Sequence, residues 1–588
     1  MTDDRRVKAY TEATELTQNV LDETFLGGET EICTVATLTK GDVVLRFSDR
    51  AKYVGNDYYE GRAKFPEIVR TIGELISPSI QFSEMEVKLN NVDGFYNSYL
   101  SGGANYISFI GARIEIKIGL RDLSATYFTL FDGTVPDEDG FAFDRESITL
   151  RARDKANELN KATGLPFINS ADFPSAPQES LGKIIPFVLG DWVTGYNLTR
   201  DIGSVSISSG SLQYNVIQDG PDNFYGGIIG YPVGEGYFVF CVGGGLETSY
   251  TPETIQDCHI KRGASFLRVK FNNVPKNLAG FWGIQVLNYE IFGGEQIPYI
   301  FQDGDTAAIS VKIPYAVGKY SNPILLAKEV LKTLGDVVDG DLDTASWLYL
   351  STKSSPPQSD MTSIKARIWI GEEKDKVLEV VLGMLEQIRV EMYWDRNQKI
   401  ALGDLHPEDF HEQGSYRIEQ IHLDEQSLKL SSDQRNFFNR AMSNYSYSPV
   451  VGKNSMQTGY RRNANSVNKS GKTISKAIDI PMLYVEADVI HQLDEFIRFY
   501  STSQEYIEAN ISWTALLKDL SEIVMLNYRI GSLQFNNKPM KIRTITFIPS
   551  NGCLRFKLLS LANFPYTGYA PDNAAKMLSS ETQPIVDA

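Results

Sequence analysis

Cysteine, histidine and long apolar runs are all scarce in this 588-residue chain, and each scarcity removes a class of function. The four cysteines, Cys33, Cys241, Cys258 and Cys553, are scattered without a CxxC pair, so neither a zinc site nor a disulfide framework is expected. Of the five histidines only His406 and His411 are close, in HPEDFH. Their spacing misses the i, i+4 geometry that sets two imidazoles on one helical face, and Pro407 opposes a helix there. No metal and no cofactor is expected. The most apolar stretch, Tyr237 to Val242, is strand-sized, against the roughly 20 residues that span a bilayer. The opening MTDDRRVKAY leads into no apolar core of signal-peptide length, so synthesis is expected to finish in the cytosol.

Catalytic signatures are missing as well. There is no GxSxG elbow and no GxxxxGK[ST] loop, and Gly243-Gly244-Gly245 lies in a β-rich region without the strand-to-helix context of a phosphate cradle. Carboxylates are abundant, but sequence alone places no two of them at a working separation, so no enzyme is expected. Positive charge is short too: 57 Lys and Arg face 74 Asp and Glu, a net charge of −17. Such a surface repels phosphate backbones and argues against sequence-blind DNA binding.

What is present is the composition of a globular chain, 42% apolar and 22% charged, too long for a single core. Residues 1–30 carry Ala9, Ala13, Leu16, Val20 and Leu21 at helical spacing and predict an N-terminal helix. Residues 31–200 change to period two, as in Arg113-Ile114-Glu115-Ile116-Lys117-Ile118, with turn residues at Val54 to Asp57, Asn91 to Gly94 and Asp139-Gly140. A first β-barrel or sandwich follows, ending in the Pro-rich connection 166–186. Residues 201–315 predict an inserted all-β domain, since 201–310 hold 17 of the 47 glycines among short aromatic strands.

Residues 316–425 predict a small α+β domain. Asn322 is an N-cap before Pro323, Ile324 to Leu334 mark one face, and Gly335 closes the helix. A second helix is expected over about 372–392, running into a hairpin from Tyr393 to Leu402. Residues 426–562 return to strands as a second β module, and 563–588 form an extended C-terminal segment. The fold class is therefore multidomain and mainly β, with a smaller α+β part.

Two groups of residues are candidates for binding. Between Gly452 and Lys476 the chain carries Lys453, Arg461, Arg462, Lys469, Lys472 and Lys476 with no acidic residue, which suits docking on an acidic partner or simply a solvated hairpin tip. In the insertion, Trp282 and Tyr289 are the candidate rings for stacking on a glycan; aromatic packing in a small β core is the plainer reading.

Several segments in order resemble the tail-tip or baseplate hub proteins of tailed bacteriophages and gene-transfer particles. They are RFSDRAKYVGNDYYEG at 46–61, EVKLNNVDGFYN at 86–97 with its hairpin-like NVDG, FDGTVPDEDG at 131–140, SITLRARDKANELN at 147–160 and GKIIPFVLGDW at 182–192. The helix at 322–335, the YWDRNQKIAL hairpin and 516–559 continue the order. The resemblance implies two tail-tube-like β-barrels per chain and a homotrimer with a central channel at the distal end of a phage tail. It also implies a distal tail or tube protein above, a tip or fibre protein below, contact with the tape measure protein, and DNA that passes without specific binding. Location in the virion follows. The scattered cysteines speak against the iron-sulfur cluster that some hub relatives carry, and no peptidase module is expected. A host-surface polysaccharide binder acting through the insertion is the alternative, and a tail-borne cell-wall or capsule hydrolase the third reading.

Overall fold

Isoleucine at every second position sets the faces of the first sheet. In the strand Arg113–Leu120, Ile114, Ile116 and Ile118 are fully buried while Arg113 points to solvent. The computed structural model describes residues 32–72, 84–100, 102–120, 127–193, 202–205, 214–217, 227–234, 236–241, 255, 257–262, 265–272, 276–279, 281–290, 296–298, 302, 304–313, 321–352, 362–372, 375–404, 416–450, 452–530, 533–549, 553–561 and 578–581. The expected helix within 1–30 lies outside these residues.

The first sheet has ten strands. From one edge the order is Lys52–Val54, Asp57–Gly61, Val43–Ser48, Ile32–Lys40, Arg113–Leu120, Phe128–Thr134, Ser147–Asp154, Glu84–Asn90 and Ala63–Lys64, with Phe141–Phe143 beside Ser147–Asp154. Gly55, at φ 61°, supplies the left-handed residue of the tight turn that pairs Val54 with Asp57. The Asn91 to Gly94 turn closes no hairpin. It leads into the helical turn Phe95–Tyr99, and Glu84–Asn90 pairs instead with Ser147–Asp154.

A second sheet is built mainly from the C-terminal third, in the order Arg417–Ile418, Ile523–Ile530, Leu533–Ile548, Cys553–Ser560, Gln504–Ser512 and Lys429–Asp433. Its seventh strand comes from far away: Ile68–Thr71 pairs antiparallel with Leu533–Ile548, and the Thr71 and Thr544 hydroxyls meet at 2.8 Å. The two sheets bury their apolar faces in one core, where Phe47, Val87, Ile116 and Ile148 join Ile507, Val524, Ile542 and Phe556. The burial of those faces is the main favourable term holding the modules together.

A second core unites the insertion with the helical part. The ten-stranded sheet that begins at Ile202–Val205 and includes Thr306–Ser310 contributes Phe238, Phe240, Ile284 and Ile309; the helices contribute Ile324, Val330, Val381 and Leu385. Phe187–Asp191 sits at the hinge between them. It pairs with both Lys312–Ile313 and Arg367–Ile370, so the chain leaves the first sheet through the Pro-rich connection well before residue 200.

The helix Pro323–Gly335 starts where its cap dictates, the Asn322 side chain accepting from the Ile324 and Leu325 amides at 3.0 and 3.2 Å. The left-handed residue that ends it is Asp336 at φ 57°, one position after Gly335; Gly335 is instead packed against Leu159 and Val377. The next long helix is shorter than its apolar stripe, spanning Val377–Gln387, because Arg389 turns to φ 59° and the stripe continues as the strand Val390–Trp394. That strand and Ile400–Asp404 form the expected hairpin. Its tip is closed by the Asp395 carboxylate, which accepts from the Asn397 and Lys399 amides at 2.8 Å each. Among the described residues, no helix is long and apolar enough to cross a membrane.

Candidate interaction surface

The cationic segment is folded as two strands, a short helix and the start of a third strand, Ser475–Ile480, which holds Lys476 and pairs parallel with Arg440–Ser448. Lys453–Gln457 and Tyr460–Asn463 both pair with Arg440–Ser448. Asn463 then caps Ala464–Ser470 by accepting from the Ser466 amide at 3.1 Å, and Gly471 ends the helix at φ 68°. On the outer side of Tyr460–Asn463 lies Leu578–Glu581, the described part of the C-terminal segment, paired through its backbone.

The candidate cations divide into two kinds. The Arg461 guanidinium spans both oxygens of Asp494, on the helix Glu486–Tyr500, at 2.7 and 2.5 Å, with both side chains mostly buried. It therefore clamps strand to helix. Arg462 is half-buried in the same strand, paired with Arg440, whose guanidinium lies 3.8 Å over the Tyr460 ring. Lys476 is half-buried 5.7 Å from the Phe438 ring, and burial lowers its pKa. Lys453, Lys469 and Lys472 are exposed and form the part of the segment open to a partner.

Trp282 is half-buried and packs against the second core. It lies in the strand Phe281–Glu290 and lines an apolar pocket with Phe240, Cys241, Ile255 and Ile309, its indole N–H buried without a hydrogen-bond partner. Cys241, beside it, has its thiol pushed up to about 12 by burial. The Tyr289 side chain lies outside the described residues; its backbone pairs with Val269 and Ile297. His406 and His411 also lie outside the described residues. None of the four cysteines forms a disulfide.

A polar constellation that no local sequence pattern announces joins the middle hairpin to the sheets. The hairpin Val390–Trp394 and Ile400–Asp404 reaches from the helical part to both sheets. At its tip the Asp519 carboxylate takes Arg70 at 2.6 Å on one oxygen and the Arg396 amide at 2.6 Å on the other. Arg70 also donates to the Trp394 carbonyl at 2.6 Å, and Gln398 reaches the Leu130 carbonyl of the first sheet at 3.2 Å. Deeper, Glu391 pairs with Arg543 and, at 2.8 Å, with Lys541, all three side chains buried. Burial alone would raise the Glu391 pKa, but the two cations overcome it and hold the carboxylate below its ordinary value.

No family model matches the chain, and no curated protein matches it. Solved structures do. The chain is similar to the 43 kDa tail protein of prophage MuSo2 from Shewanella oneidensis, at 11% identity over 90% of this chain and 98% of that one, with a TM-score of 0.37. It is similar to the tail protein from Neisseria meningitidis MC58, at 8% identity over 90% and 97%, with a TM-score of 0.38. A chain of the native gene transfer agent virion is similar at 15% identity over 51% and 85%, with a TM-score of 0.18. The chain resembles phage tail proteins. In it, ion pairs and shared cores join the sheets; of the exposed lysines, Lys453 lies in a strand of a separate five-stranded sheet, and Lys469 and Lys472 lie in and just after the helix Ala464–Ser470.

Proposed function

We propose that this chain is a structural protein of a phage-type tail: a hub that trimerises at the distal end of the tail and joins the tube to the tip. In this reading the sheet around 32–154 and the sheet around 417–560 are the two tube-like modules of each subunit. The observation that carries it is the exchange of Ile68–Thr71 into the C-terminal sheet, together with the single core beneath both sheets. Two β modules locked rigidly into one body give each subunit two similar positions around an axis. Three subunits then close a ring of six positions and cover the strand edges. The printed descriptions of the similar structures, tail proteins and a gene transfer agent virion, accord with a place in the virion.

The net charge of −17 suits a channel that DNA traverses without adhering. The neighbours are a distal tail or tube protein on one side and a tip or fibre protein on the other, with the tape measure protein ending nearby. The hub performs no chemistry of its own. The polysaccharide-binding alternative would rest on Trp282, which is half-buried, packs against the second core and lines an apolar pocket.

Immunogold labelling of intact particles tests the assignment, with label expected at the distal tail end. Labelling along the tail shaft or at the head would reject it.

A further inference from the structure

The first sheet and the C-terminal sheet repeat one arrangement. In the first, Glu84–Asn90, Arg113–Leu120, Phe128–Thr134 and Ser147–Asp154 follow each other in the chain and lie side by side in the order second, third, fourth, first. Gln504–Ser512, Ile523–Ile530, Leu533–Ile548 and Cys553–Ser560 do the same in the other. Each opening strand is followed by a helical turn, Phe95–Tyr99 or Trp513–Ala515. Each second strand is then entered past a left-handed residue, Gly111 at φ 70° or Ser521 at φ 66°. One pair of bonds locks both. The Gly111 amide donates to the Val135 carbonyl at 2.7 Å and the Val135 amide to the Ala112 carbonyl at 2.9 Å; Ser521, Ile542 and Glu522 repeat the pair at 3.0 and 2.9 Å.

The repeat differs in what covers one edge. On the last strand of each sheet, Ile148 and Leu150 face Phe143 and Phe141, as Leu554 and Phe556 face Phe547 and Ile545. Phe141–Phe143 therefore holds the place of residues 545–547. That place in the C-terminal sheet is covered by Ile68–Thr71, with Ile68 opposite Phe547 and Arg70 opposite Ile545. Among the described residues, Phe141–Phe143 pairs only with Ser147–Asp154. The Arg151 amide donates to the Gly140 carbonyl and the Asp144 amide to the Ser147 carbonyl, both at 2.9 Å, so the alternation of an antiparallel ladder turns the N–H and C=O groups of Phe141 and Phe143 outward. Phe143 is 61% exposed, and the Phe141 ring stacks on Phe109 at 4.8 Å. An open edge with apolar rings beside it is a template for another strand.

The repeat also indicates what the edge receives. Ile68–Thr71 lies between Ala63–Lys64 and the strand with which Ala63–Lys64 pairs, Glu84–Asn90. Lys429–Asp433 pairs in the same way with Gln504–Ser512, so the matching interval is 434–503, which holds the cationic segment. Its strand Lys453–Gln457 pairs only with Arg440–Ser448 among the described residues, whereas the neighbouring Tyr460–Asn463 is covered by Leu578–Glu581. Charge is complementary. Asp137, Glu138 and Asp139 precede the open edge and Asp144 and Glu146 follow it, all exposed, with Arg145 the one cation between 137 and 146, while 452–476 carries no carboxylate. We propose that the open edge of Phe141–Phe143 docks a second copy of this chain, which presents its strand Lys453–Gln457. Resting on the ring reading above, this docking makes the contact between subunits the counterpart of the contact between the two sheets within a chain.

Photo-cross-linking of the full chain tests it. Phe143→p-benzoylphenylalanine, mixed in light and heavy isotope forms at a concentration where light scattering reads three times 65.8 kDa, should give mixed-isotope cross-links from residue 143 to the 453–457 peptide. Phe143→Asp, a change at an exposed position, should weaken assembly about thirty-fold while far-UV circular dichroism stays that of the wild type. A trimer whose cross-links from residue 143 fall on another segment, or one that a folded Phe143→Asp assembles undiminished, would overturn the docking and leave the ring reading standing. A wild type that stays monomeric across concentration, alone and with tails lacking the protein, would overturn both.

Discussion

Glu391 and Arg543 stand 152 positions apart in the chain and form a buried ion pair between the middle hairpin and the C-terminal sheet. Lys541 completes the site, 2.8 Å from the second carboxylate oxygen and 2.5 Å from the Asp404 carbonyl. A lone buried ion pair is weak evidence for stability, because desolvation offsets the attraction. Here the value lies in position: the carboxylate fixes where the hairpin meets the sheet.

Removing that carboxylate should therefore be costly. Glu391→Gln leaves two buried cations without a counter-charge, and urea denaturation should show a loss of about 3–5 kcal/mol. A loss below about 1 kcal/mol would mean that water or a neighbouring group compensates the cations. The pH dependence has a definite sign. Because the folded-state pKa of Glu391 is depressed, its contribution is complete above the ordinary value of 4.5 and is lost as pH falls through the folded-state value. The gap in stability between wild type and Glu391→Gln should accordingly narrow on acidification below pH 4.5 and stay constant above it.

The hairpin tip gives a second test. Asp519→Asn weakens the hold on Arg70 and on the Arg396 amide, and the tip should detach from the sheets before the rest unfolds. Hydrogen exchange should show faster exchange over 395–399, with protection of Arg113–Leu120 retained.

The two kinds of cation in the 452–476 segment should separate by mutation. Arg461→Glu breaks a mostly buried bidentate pair and sets two carboxylates against each other, so the melting temperature should fall, by about 1–3 kcal/mol of stability. Reversing the exposed Lys453, Lys469 and Lys472 to Glu should leave the melt unchanged and weaken co-sedimentation with tails lacking the protein. If the triple reversal sediments like the wild type, the lysine face is not a docking surface.

Arg367 offers a test in the second core. Its guanidinium lies 4.4 Å from the Trp192 ring and 4.9 Å from the Tyr484 ring, donates to the Ser446 hydroxyl at 2.9 Å, and has its pKa pushed down to about 10 by burial. A planar group fits this slot and an ammonium does not. Arg367→Lys should destabilise by about 1–3 kcal/mol in the same denaturation assay, and an unchanged midpoint would show that the rings act only as walls.

Local chemistry in this chain was legible and long-range pairing was not. Asn322-Pro323 announced its helix, Asp395 to Lys399 announced their hairpin, and the alternation of Ile114, Ile116 and Ile118 announced a half-buried strand, because each depends on neighbours within a few residues. Nothing in Ile68–Thr71 says that it pairs with residues 544 to 547, since period two reports which face is buried and not which strand lies alongside. Arg461 read as surface charge for the same reason: Asp494 lies 33 residues on, on another element.

The central claim is that this chain closes a ring of three. Light scattering of the purified protein, with negative-stain images of the same sample, tests it most directly. The predicted result is a species near three times 65.8 kDa that shows a ring with a central density minimum. A species at 65.8 kDa that stays monomeric across concentration and on addition of tails lacking the protein would contradict it.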